Sequence, residues 1–237
     1  MLPIQNKIAA QGNFGGFRKL SDIKFLVIHY TGNDGDSSDA NGRYFQNNIV
    51  KASAHYFVDS DSIIQSVPDD RIAYSVGGKK YPDCSKTGGG KFYGKCTNSN
   101  SISIELCDDV KNGKVYPSEK TIQNALELTR YLKKKYNIQH IIRHFDVVGK
   151  KCPIYWTDDV KWKNEFLNKV GKDDMTKEEV IQIIKEYEAQ KSKNAVDSWA
   201  KASWDKAKKT GIMDGTAPKS HATREQIAAI LDRLGLL

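Results

Sequence analysis

The chain has 237 residues, 39% of them hydrophobic and 28% charged, with a formal net charge of +8. That length suits one large domain, or one domain with a smaller companion. No apolar run nears the roughly 20 residues that a membrane helix needs, so no membrane insertion is expected, and four cysteines are too few for a disulfide scaffold of this length.

At the N-terminus, Met1-Leu2-Pro3-Ile4-Gln5-Asn6-Lys7 has no basic segment ahead of a long apolar stretch. No signal peptide is therefore expected, and the protein should wait in the cytosol where it is made until something releases it. Phe25-Leu26-Val27-Ile28 reads as a short buried strand that ends at His29. Ala54-His55-Tyr56-Phe57-Val58 is a second strand. The turn cluster Asp59-Ser60-Asp61-Ser62 joins it to Ile63-Ile64-Gln65-Ser66-Val67, as in a hairpin. Residues 79–100, rich in Gly, Lys, Ser and Thr, read as a long functional loop. Cys84 and Cys96 flank its Gly-rich part; free thiols are the default there, with pairing or metal binding as the alternatives.

Ser101-Ile102-Ser103-Ile104-Glu105-Leu106 alternates as a strand should. Ser118 caps a helix that runs to Lys135, with Ile122, Ala125, Leu126, Thr129, Leu132 and Tyr136 at helical spacing. Residues 138–142 form a further strand leading to His144, and Cys152 follows eight residues later. Strands with helices interspersed imply an α/β fold, a mixed central sheet flanked by helices on both faces.

Composition shifts to Lys, Glu and Ala near Gly171, and a small all-α C-terminal domain is expected. It holds an internal repeat: residues 176–184, starting Thr-Lys-Glu-Glu, match residues 223–231, starting Thr-Arg-Glu-Gln. In each copy the Thr is an N-cap with acidic residues in the first turn. Between them residues 199–210 form a helix closed by Gly211. The expected division is 1–170, a linker or partial repeat at 171–194, and 195–237. Residues 1–170 carry +7 of the charge and 171–237 only +1. The basic part should be drawn to a polyanion. The lack of a basic stripe interleaved with aromatics argues against nucleic acid; an anionic cell wall is another such partner, and for any single lysine a solvated surface charge is the default.

His29, His144 and Cys152 each lie at the edge of an apolar segment, and together they read as a catalytic zinc site. Such a site takes three protein ligands and leaves the fourth position to water, whose pKa falls to about 7. Arg143 and Asp146 are placed to orient the ligands. A single histidine after an apolar run is more often structural, and His140 and His221 are read so; the joint pattern carries the metal reading.

Val27-Ile28-His29-Tyr30-Thr31, Ser53-Ala54-His55-Tyr56-Phe57-Val58-Asp59, Asn100-Ser101-Ile102-Ser103-Ile104-Glu105 and the run from Arg143 to Pro153 resemble N-acetylmuramoyl-L-alanine amidases of the amidase-2 type. That family shares a fold with peptidoglycan recognition proteins and phage lysozyme-amidases. The resemblance covers roughly residues 20–165 and is specific in combination. It implies that His29, His144 and Cys152 bind Zn²⁺, that Glu105 activates the water, and that Lys150 stabilises the oxyanion. Some relatives have a Tyr just before the position of His55, where this chain has Ala54. Tyr56 cannot replace it, since adjacent strand residues face opposite ways. Proton transfer then falls to Glu105, and His55, Tyr30 and Asn33 become expected substrate contacts. The segments at 33–43 and 79–100 are candidate cleft walls, with Tyr81 and Tyr93 placed to stack on sugar or peptide.

The implied reaction is cleavage of the bond between N-acetylmuramic acid and the L-Ala of the stem peptide, as in a phage endolysin of a Gram-positive host. A bacterial autolysin has the same chemistry. The rivals are a non-catalytic peptidoglycan-recognition module and a nucleic-acid-binding protein. From about Ala195, Trp199, Trp204, Gly211-Ile212-Met213-Asp214-Gly215-Thr216 and Ala222-Thr223-Arg224-Glu225-Gln226-Ile227 resemble an S-layer-homology-like repeat, which implies cell-wall binding. So small a unit should leave the protein a monomer, or a weak dimer through this domain.

Overall fold

The computed structural model describes residues 1–77, 89–171 and 177–237, the side chains of 177–180 excepted. Tyr81, Cys84 and Thr176 lie outside the described residues, as does most of the first half of the expected 79–100 loop. The chain divides into two units, Met1–Asp173 and Asp174–Leu237.

In the first unit, strands β1 (Ile4–Asn6), β3 (Phe25–Asp34), β4 (Tyr56–Val58), β5 (Ile63–Gln65), β7 (Ser101–Asp108) and β8 (His140–Arg143) form a sheet in the order β1-β5-β4-β7-β3-β8. Only β4 and β5, the expected hairpin, pair antiparallel; the other neighbours are parallel. Strands β2 (Phe14–Phe17) and β6 (Arg71–Ala73) make a separate antiparallel pair. Helix α1 (Ser38–Asn47) lies between β3 and β4, and α2 (Glu119–Tyr136) between β7 and β8. Then come α3 (His144–Val148), a 3₁₀ turn at Ile154–Trp156, and α4 (Asp159–Trp162), which continues through a π-helical turn, Lys163–Leu167, into α5 (Asn168–Val170).

The alternation of β3 and β7 decides what each sheet face buries. Leu26, Ile28, Ile102, Ile104 and Leu106 pack on one face with Ile122, Ala125, Leu126, Leu128 and Leu132 of α2, and with Trp156, Trp162 and Phe166. Ser118 caps α2 by accepting from the backbone N–H of Thr121, as its position ahead of the apolar stripe predicts. On the other face Phe25 and Val27 meet Val147 and Val148 of α3, and Phe57, Ile64 and Cys107 meet Phe45 of α1. Helices thus cover both faces. Tyr56 points to the α2 side, where its hydroxyl donates to buried Asp69 at 2.7 Å. It is therefore turned away from the face that carries His29.

The second unit holds α6 (Lys177–Ser192), α7 (Lys201–Lys209) and α8 (Arg224–Arg233). Thr223 caps α8 in a reciprocal box with Gln226. Gly211 and Gly215 take positive φ values of 73° and 80° in the connection after α7. Trp199 is 85% exposed, so it does not fix its segment by packing. Among the described residues no helix is long and apolar enough to cross a membrane.

Candidate metal centre

His29 and Glu105 are register partners in the parallel β3–β7 ladder, so pleating turns both toward the face of α1 and α3. His144 is the first residue of α3, directly after β8. That short helix ends at Gly149, whose φ of +77° is a left-handed cap and reverses the chain toward Cys152. The Phe145 N–H then donates to the Cys152 carbonyl at 2.8 Å, tying the second ligand segment to the third.

The three expected ligands converge: their donor atoms lie within 4.8 Å of one another, and all three residues are buried. Cys152 Sγ is 3.7 Å from His29 Nδ1, and the two imidazole centroids are 4.6 Å apart. Atoms bound tetrahedrally at ~2.0–2.3 Å stand roughly 3.3–3.8 Å apart, so this donor set fits zinc with little adjustment. The site also leaves polar atoms unsatisfied. His29 Nε2, His144 Nε2 and Glu105 Oε2 are buried without partners among the described residues, which is costly unless a ligand satisfies them.

Burial, with the neighbouring charge of His144 and then Lys150, holds His29 well below the usual histidine range. Burial and Lys150 lower His144 to about 4. Both rings are therefore neutral at neutral pH, the form that ligates metal. Burial and then the Glu105 charge push the Cys152 thiol up, against the pull of the Tyr30 backbone N–H and Lys150. A bound cation reverses that balance and deprotonates a coordinating thiol. Glu105 lies with Oε1 3.8 Å from His29 Nδ1. Burial raises its carboxyl to about 8, with Lys150 opposing and Asp36 adding to the shift. Lys150, rather than Lys151, is the lysine whose charge reaches all four groups.

Arg143 fixes the frame. Its Nε and Nη2 donate to the two oxygens of Asp146 at 2.9 and 2.7 Å, and Nη2 also to Asp159 at 2.6 Å. Nη1 donates to the Trp156 carbonyl at 2.7 Å. One buried guanidinium thus clamps α3 to the chain beyond Cys152. The sequence placed Arg143 and Asp146 near the ligands; it held no signal for Asp159, which arrives through tertiary folding alone. Removing one partner of a buried pair costs about 3–5 kcal/mol. Arg143→Met is expected to lose stability on that scale in urea denaturation, with weaker metal binding.

The expected substrate contacts are placed differently from one another. Tyr30 is half-buried beside the centre, its ring edge-on to Tyr155 at 5.7 Å. Asn33 is exposed near the end of β3, its amide donating to Asp36 at 3.4 Å. His55 is 1% exposed. Its Nδ1 meets Ser103, and its Nε2 meets Arg18 at 2.8 Å and the Arg71 carbonyl at 3.2 Å. Both ring nitrogens are engaged in the fold and the ring is buried, so His55 is not open to substrate as Asn33 is. Tyr93 is exposed.

The Amidase_2 family profile, described as N-acetylmuramoyl-L-alanine amidase, matches residues 19–155, more than half of the chain. N-acetylmuramoyl-L-alanine amidase CwlL of Bacillus licheniformis is 34% identical over 159 residues, 64% of this chain and 42% of its own length. N-acetylmuramoyl-L-alanine amidase BlyA of Bacillus subtilis is 32% identical over 160 residues, with the same two coverages of 64% and 42%. The chain therefore matches only about two fifths of the length of these relatives. The structure of PlyL superposes with a TM-score of 0.55 at 25% identity, covering 71% of this chain and 97% of that one.

Proposed function

Because the chain belongs to the Amidase_2 family, we propose that it is a zinc-dependent amidase that cleaves the bond between N-acetylmuramic acid and L-alanine in peptidoglycan. The observation that carries this reading is the buried convergence of His29, His144 and Cys152 beside Glu105. Zinc held by those three ligands would supply a Lewis acid for the carbonyl and a water of lowered pKa. The rest is work for the chain's own groups. Glu105, half-buried at the centre, accepts a proton from the attacking water and returns it to the nitrogen of the departing L-alanine. Burial lifts this carboxyl to about 8 in the metal-free chain; a cation bound beside it would favour the carboxylate that takes the proton. The Lys150 ammonium offsets negative charge developing on the carbonyl oxygen. Tyr30 and Asn33, both on β3, are proposed to line the substrate cleft.

The reading extends to an endolysin of a Gram-positive host, supported by the Bacillus relatives and by the likeness to a solved mutant endolysin of Bacillus subtilis. In it, residues 1–170 catalyse, and the helical unit, with residues 195–237 at its core, holds the enzyme to an anionic wall polymer. Tethering raises the effective concentration at the bond. Truncation after residue 173 is expected to spare release of amino groups from soluble peptidoglycan fragments while abolishing co-sedimentation with intact walls. Equal sedimentation of both forms would remove the wall-binding role from the second unit.

The deciding test incubates purified peptidoglycan with native and chelated protein and assays new L-Ala amino groups against reducing sugar ends. Amino groups from the native protein alone support the proposal. Reducing ends would mean glycosidic cleavage. Tight binding with no release would make the protein a recognition module.

A further inference from the structure

The central sheet ends on one side at β8, which pairs only with β3. The Arg143 N–H donates to Asp146 at 2.9 Å, not to β3. Backbone groups two residues apart on a strand point the same way. The N–H and C=O of Ile141 therefore also face outward, into a groove of about 400 Å³ that runs along this edge. Much of its lining is apolar, with Phe92, Ile142, Trp162 and Leu167 in its walls. Lys91, Lys133 and Lys163 stand around it, all exposed. Its two carboxylates, Asp146 and Asp159, are both held by the buried Arg143 guanidinium. Lys91 reaches Asp159 at 3.5 Å, while among the described residues Lys133 and Lys163 make no ion pair. The groove is thus positive, and its own acids do not neutralise it.

We propose that this edge is a docking surface for an acidic polypeptide segment, which binds in extended form as an added strand beside β8. Three features fit that occupant jointly. The outward N–H and C=O of Ile141 supply main-chain hydrogen bonds to an added strand. The apolar lining takes every second side chain of that strand, since these share one face. The lysines pair with acidic side chains between them and repel a basic strand. A phosphodiester polymer would satisfy the lysines alone and leave the strand edge and the apolar lining unused. Lysines commonly guard a sheet edge against pairing. Grouped around one groove, the same lysines make an acidic strand the matching partner. The groove contains none of the three metal ligands, and the proposal rests on neither the metal reading nor the amidase reading.

The test titrates an alternating Glu-Val decapeptide into the full chain by calorimetry, with an alternating Lys-Val decapeptide and polyphosphate as comparison ligands. The expected result is saturable one-to-one binding of the Glu-Val peptide and none of the Lys-Val peptide. Hydrogen exchange at the Ile141 amide, followed by NMR, should slow in the complex. Lys133→Glu combined with Lys163→Glu should weaken the Glu-Val peptide by roughly tenfold or more and admit the Lys-Val peptide. Both lysines are exposed, so the variant is expected to fold, which circular dichroism checks. Absence of saturable Glu-Val binding overturns the proposal, as does binding that the charge reversal leaves unchanged. Equally tight polyphosphate binding with an unprotected Ile141 amide would assign the groove to a phosphate polymer and overturn it too. Native protein that binds the peptide yet hydrolyses no peptidoglycan would sink the catalytic reading and leave this one standing.

Discussion

Glu105→Gln is expected to lower kcat for peptidoglycan hydrolysis by roughly 10²–10⁴-fold, the usual contribution of a positioned proton carrier, with zinc content unchanged. Glutamine keeps the shape of the side chain and its place opposite His29 in the ladder, but it cannot take a proton. Steady-state kinetics with metal analysis on the same samples separates the two effects. A variant that retains native kcat would remove Glu105 from the reaction. The same substitution has a second readout in chelated protein. The Glu105 carboxyl is raised from 4.5 to about 8 by burial. The folded state thus binds its proton more tightly than the unfolded chain does. Its contribution to stability is complete below pH 4.5 and is lost as pH rises through 8. Metal-free Glu105→Gln should lack that loss, so its Tm relative to native protein rises between pH 4.5 and pH 8.

Cys152→Ser is the second large effect. A serine hydroxyl replaces the only sulfur donor of the set, and a neutral oxygen ligates zinc far more weakly than a thiolate. Activity is expected to fall on the order of 10³-fold or more as the water loses its activation. Bound zinc should drop below stoichiometry after dialysis. Thermal stability in chelator reads separately the cost of burying a hydroxyl where the thiol stood. Atomic absorption and calorimetry on native and variant protein check both. Full zinc with native activity in Cys152→Ser would show that Cys152 is not a ligand.

The strands that carry the centre were legible because their two faces differ in chemistry. Ser101, Ser103 and Glu105 alternate with Ile102, Ile104 and Leu106, and His29 closes an apolar run. In β7 alternation told strand from helix and gave the side of each residue, whereas β3 was marked only by a short β-branched and aromatic run. The Ser118 cap of α2 is likewise local. What the sequence could not show is which strands become neighbours. That Glu105 stands opposite His29 follows from the pairing of β3 with β7, across more than 70 positions of chain. His55 illustrates the reverse case. The family resemblance makes it an expected substrate contact, yet its environment is made by Arg18, Arg71 and Ser103 from three other segments. Asp159 gave no signal either, since it meets Arg143 only when the chain after Cys152 folds back.

The parallel pairing of β3 and β7 also sets what the protein can tolerate as its sequence drifts or is engineered. One residue added to or deleted from either strand ahead of His29 or Glu105 would exchange the two sheet faces from that point on. Isoleucine would then occupy the polar side and the carboxylate would enter the α2 core. Insertions between Asp109 and Ser118 leave that ladder in phase and should be accepted with little penalty. Length variation is thus open in the connections and closed in these two strands, so a library seeking new substrate range should randomise loop length and leave strand length fixed.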